Sequence, residues 1–188
     1  MSDAAAKRRA RQTLINLLLS LGATLGLVLL LILAVPRDDS NRIQPVDYKE
    51  IAAEAQNVAP GELLVPTLPT GWYSNSARYR SAEQDGVANW YVGFVGPKSE
   101  YLAFTQGFEV NQTWLALQLE SNKPTGEKII SGRTWKIYEN PKVSNPPKSR
   151  DYLMLLETGG GAILIYGVAP IEEFERFAST ISDLIKEE

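Results

Sequence analysis

The chain has 188 residues, a formal net charge of −3, and neither cysteine nor histidine. Those two absences exclude disulfides, zinc sites of the Cys/His type, haem held by His or Cys, and every catalytic triad that relies on His or Cys. Residues 1–12 hold four basic side chains and one acidic, net +3, whereas residues 37–188 hold 15 basic and 21 acidic, net −6, a poor match for nucleic acid or an anionic lipid surface.

The first element is a run without charge from Thr13 to Val35, 23 residues. As a helix it spans roughly 34 Å, against a hydrocarbon core of about 30 Å, which predicts a transmembrane helix. A cleaved signal peptide competes, but its apolar region is usually about 7 to 15 residues, and LILAVPRDD lacks an A-x-A cleavage site. Lys7, Arg8, Arg9 and Arg11 crowd the N-terminal side, while Arg37, Asp38, Asp39 and Arg42 cancel on the other. Positive charge is retained in the cytoplasm, so the N-terminus is expected inside and the rest outside, in the cell membrane. The expected organisation is a cytoplasmic basic tail over 1–12, the span over 13–35, a linker and short helix over 36–58, and an extracytoplasmic α+β domain over 59–188.

The span is sorted by polarity. On a helical wheel Thr13, Asn16, Ser20, Ala23 and Thr24 share a sector of roughly 100°, leucines occupy most of the opposite side, and Gly22 and Gly26 lie at the border. Such a small, polar side lets a neighbouring helix approach and offers interhelical hydrogen bonds. The plain alternative is that Ser and Thr bond to the carbonyl four residues back and that glycine is common in such helices. Asn16, Ser20, Gly22, Ala23, Thr24 and Gly26 are therefore the candidate helix–helix interface.

Beyond the linker, Asp47–Asn57 reads as a short helix with Asp47 as N-cap, Glu50 completing a box-like pattern, and Tyr48, Ile51, Ala52 and Ala55 on one side. Strands are expected at 72–79, 87–95, 101–108, 134–139, 152–157 and 162–168, the last two joined as a hairpin by TGGG. Asn111–Glu120 suits a capped helix with Trp114, Leu115, Leu117 and Leu119. Residues 171–186 form an amphipathic helix striped by Ile171, Phe174, Phe177, Ala178, Ile181, Leu184 and Ile185. Hairpin strands with a few helices predict an α+β domain, an antiparallel sheet packed on one face by helices including the C-terminal one.

Catalytic patterns are missing. TGGGA at 158–162 precedes a strand and lacks the Lys of a phosphate loop, so a tight turn is the better reading. No serine is followed three residues later by lysine, no G-x-S-x-G occurs, and no calcium-loop spacing is present. Asp38–Asp39 and Glu172–Glu173 read as solvated or dipole-stabilising carboxylates. No catalytic residue, cofactor or metal is expected. Strand alternation sends the tryptophans at 72, 90 and 135 inward and leaves Tyr73, Tyr91 and Tyr138 opposite them as a candidate outer contact surface. The sequon Asn111-Gln112-Thr113 falls at a helix start and is set aside.

Pro69-Thr70-Gly71-Trp72, Ser76-Ala77-Arg78, Trp90 with Val92-Gly93-Phe94, Tyr101, Gln106, Gly132-Arg133-Thr134-Trp135, Tyr138 and Gly167 come in an order that resembles an actinobacterial family of single-pass envelope proteins sharing a domain of unknown function. The resemblance covers residues 10–186. The order of elements is also similar to PsbP-type domains, which are mostly binding or accessory modules. The family resemblance implies a cell-envelope location and carries over no active site. The expected function is a non-catalytic accessory subunit, in contact with membrane lipid and an integral membrane protein complex. A respiratory reductase–oxidase supercomplex is the home that lineage suggests. The alternative is a membrane-tethered binding module for a lipid, glycan or small ligand.

Overall fold

The uncharged run lies inside one continuous helix, α1 (Ser2–Ala34), in a computed structural model that describes residues 2–34, 44–120, 122–142 and 145–186. The basic residues at 7–11 lie in the first third of this helix. Alanine, lysine, arginine and glutamine dominate that third, and all are strong helix formers. The stretch Lys7–Leu33 is long and apolar enough to cross a membrane once. The linker expected from residue 36 lies largely outside the described residues.

The chain divides into two units, Met1–Arg42 and Ile43–Glu188. In the second, α2 (Tyr48–Ala55) starts where expected: the Asp47 carboxylate accepts from the amides of Lys49 and Glu50 at 3.1 and 3.2 Å. Then come β1 (Tyr73–Arg80), the one-turn α3 (Ala82–Asp85), β2 (Asn89–Val95), β3 (Tyr101–Gly107), α4 (Gln112–Leu119), β4 (Lys123–Ile130), β5 (Arg133–Glu139), β6 (Tyr152–Glu157), β7 (Ala162–Gly167) and α5 (Ile171–Leu184). The strands form one antiparallel sheet in the order β1-β2-β3-β7-β6-β5-β4. The chain leaves the centre after β3, crosses by α4 to the far edge, and returns strand by strand to pair β7 with β3.

Alternation gives the sheet two different faces. Trp90, Phe94, Phe104, Trp135, Met154 and Ile165 meet Tyr48 of α2 and Phe174, Phe177 and Ile181 of α5 in the larger core. Phe177 packs on Phe94 at 5.2 Å between ring centroids, and Tyr48 meets the same ring edge-on at 5.5 Å. The extended segment 62–66 is tied to this core by side chains. The Trp90 indole donates to the Leu64 carbonyl at 3.0 Å, and the Gln106 amide bridges the Glu62 carbonyl and the Leu64 amide, both at 2.9 Å. The opposite face carries Ala103, Leu153, Leu155, Leu164 and Tyr166, covered by Trp114 of α4. Helices therefore pack on both faces, not one: α4 is short, but its indole is large enough to cover apolar side chains that point away from α5.

Two strands depart from the pattern expected from the sequence. β4 has no counterpart in it, because KPTGEKII is exposed at seven of eight positions and shows no buried alternation. β1 carries a bulge between Ser74 and Ser76, which turns the residues after it to the opposite face from simple alternation.

Candidate functional site

On α1 the described side chains from Arg11 to Leu33 are all exposed. The Thr13 hydroxyl donates to the Arg9 carbonyl at 3.0 Å and the Thr24 hydroxyl to the Ser20 carbonyl at 2.9 Å, which satisfies both within the helix. Among the described residues the Asn16 amide and the Ser20 hydroxyl have no partner. A methyl group built on Gly22 or Gly26 would meet nothing within 4 Å. The border glycines are open to a neighbour, and half of the polar row has its hydrogen bonds still to make.

Tyr73, Tyr91 and Tyr138 project from the sheet face that α4 covers, but the structure does not bring all three together. Tyr73 pairs with Val95 and Tyr91 with Arg78 at the β1–β2 end, whereas Tyr138 lies on β5, beyond β3, β7 and β6. All three are partly buried. Around Tyr91 the bulge assembles groups that alternation alone does not place. The Arg78 guanidinium lies 4.0 Å over the Tyr91 ring, and the Tyr91 and Tyr101 hydroxyls share a 2.5 Å hydrogen bond. Gly93 leaves room for this cluster: a Cβ there would sit 2.7 Å from the Asn75 Oδ1, 2.8 Å from the Tyr91 hydroxyl and 3.1 Å from that of Tyr101. Burial first, and the bond to Tyr91 second, push the Tyr101 hydroxyl well above its ordinary pKa, so it stays protonated. Further along the face Arg150 stacks 4.0 Å over Tyr166, whose hydroxyl is 3.3 Å from that of Thr105.

An open groove of about 730 Å³ lies at the TGGG end of the domain between Glu62, Phe108, Ile163 and Lys186. Lys186 binds Glu62 at 2.7 Å across it, Glu157 pairs with Lys136, and Arg133 donates to the Ser182 and Ile185 carbonyls. The glycines close a turn in which the Thr158 and Gly161 amides and carbonyls bond reciprocally at 3.0 and 3.2 Å, with Gly160 at φ +98°. This is hairpin geometry rather than a phosphate cradle. Among the described residues no three acidic side chains gather as a metal site.

The comparison with protein families returns one described as "Protein of unknown function (DUF4245)", matched over residues 9–181. The chain belongs to this family. For DUF4245 the matched range matters, because it takes in the apolar span of α1 and all seven strands together. No curated protein and no solved structure matches the chain.

Proposed function

We propose that this DUF4245 protein is a non-catalytic, membrane-anchored accessory subunit that docks on a larger integral membrane assembly. The carrying observation is the side of α1 on which Asn16 and Ser20 have no partner among the described residues, with Gly22 and Gly26 open at its border. In lipid an unpaired amide is costly, and a neighbouring helix is the natural source of its hydrogen bonds, worth about 0.6 to 2 kcal/mol each. The positive flank argues for an inward N-terminus and an outward domain. The resemblance to actinobacterial envelope proteins makes a respiratory reductase–oxidase supercomplex the assembly to examine first. The test is gentle detergent extraction followed by pull-down through a C-terminal tag. Changing Asn16, Ser20, Gly22 and Gly26 together to leucine should lower recovery of the partner at least several-fold while the protein still reaches the membrane. Equal recovery of every membrane protein would sink this reading.

A tethered binding module is the second reading, favoured by the size of the groove at the TGGG end, which falls within the range of small-ligand sites. It predicts a bound molecule in native mass spectrometry of the purified protein, lost on Phe108→Asp.

A further inference from the structure

The outer domain is acidic, yet at the β1–β2 end of the sheet it displays a cation with no anion. Among the described residues Arg78 has no carboxylate partner; its guanidinium lies over the face of Tyr91. Arg78 is exposed, and a guanidinium resting on a ring keeps donors that can take a carboxylate. Beside it, the Tyr91 and Tyr101 hydroxyls hold two protons and use one between themselves. The second proton is not on Asn75, because the buried Oδ1 of that side chain has no hydrogen-bond partner. An incoming group thus meets the exposed Arg78 guanidinium, backed by the Tyr91 ring and the hydroxyl pair. Tyrosine and arginine are also enriched among the residues that anchor protein interfaces.

We infer that the β1–β2 end of this face, centred on Arg78 with Tyr73, Tyr91, Tyr101 and Asn75, is the outer domain's docking surface for a carboxylate-bearing segment of a partner protein. Charge decides between occupants. A domain with net −6 is repelled by an anionic lipid surface, whereas a single Asp or Glu of a protein can reach one unpaired arginine locally. A second copy of this chain would bring the same excess of negative charge over its whole surface. The inference rests on the accessory-subunit reading and adds to it a second contact, outside the membrane.

The experiment uses the full chain in native membranes. A photoreactive p-benzoylphenylalanine replaces Tyr73 in one sample and Ala23 of α1 in another, and the cross-linked peptides are identified by mass spectrometry. The expected result is a Tyr73-site cross-link to a membrane-protein segment containing Asp or Glu. Its yield should fall at least tenfold in Arg78→Glu and recover when the partner's carboxylate is changed to Lys in the same cells. Thermal unfolding of Arg78→Glu should match the parent, since the side chain is exposed. A yield within twofold of the parent in Arg78→Glu, or cross-links to lipid, to this chain, or to a segment without carboxylates, would overturn the inference. Cross-links from the Ala23 site alone would remove this surface and leave the accessory role standing. Silence from both sites would remove both.

Discussion

Gly167 shows how tightly single positions are constrained. A Cβ there would lie 2.1 Å from the Tyr101 carbonyl oxygen and 2.9 Å from the Leu102 Cα, both backbone atoms of the neighbouring strand. Alanine can be accommodated only by parting β3 from β7 at the middle of the sheet, so Gly167→Ala should cost about 3 kcal/mol or more. Gly126, on the edge strand with open space around it, provides the control, and its alanine variant should unfold within about 0.5 kcal/mol of the parent. Urea midpoints measure both, and similar midpoints for the two variants would contradict the packing. In the sequence Gly167 carries no sign of this role, since a contact between β3 and β7 is invisible until the strands are ordered. Arg78 was obscured in another way: with regular alternation it faces away from Tyr73, and only the bulge at Asn75 puts both on one face with Tyr91.

Among the elements, α5 and β4 mark the extremes of legibility. The α5 stripe was readable because its burial is one-sided: Phe174, Phe177, Ala178 and Ile181 are buried, while Ile171 and Leu184 at its ends stay largely exposed. Phe177 touches the rings of both Phe94 and Phe104, so Phe177→Ala should destabilise by about 3 to 5 kcal/mol. On β4, Ile129 is 74% exposed, and Ile129→Ser should stay within about 0.5 kcal/mol. Chemical denaturation decides, and a larger loss at Ile129 would mean that something covers that edge. β4 went unread because a strand exposed on both faces has no periodic burial to display; backbone pairing with β5 makes it a strand, and pairing leaves no mark on composition. The hairpin of β6 and β7 was legible for the converse reason, as two apolar runs about a glycine turn.

At the scale of the whole molecule, stability against alkali follows from the buried tyrosines. Burial raises the hydroxyl pKa of Tyr48, Tyr101, Tyr152 and Tyr166 above the ordinary 10.0. A raised folded pKa means that the folded chain keeps protons the unfolded chain releases. Their stabilising contribution is complete below about pH 10 and is lost as pH rises through the folded values. The urea midpoint should therefore fall between pH 9 and pH 11; a constant or rising midpoint would refute it. The other molecule-scale feature is the unbroken course of α1. Its 33 residues measure about 50 Å, some 20 Å more than the hydrocarbon layer. Arg9, Thr13, Asn16, Ser20 and Thr24 follow one another at spacings of three or four, so the charged end and the polar row share a single azimuth. The helix behaves like a key whose bow and bit are cut from one bar: whatever turns Asn16 toward a neighbour also aims Arg9. A single alanine inserted between them would swing the two out of alignment by about 100°.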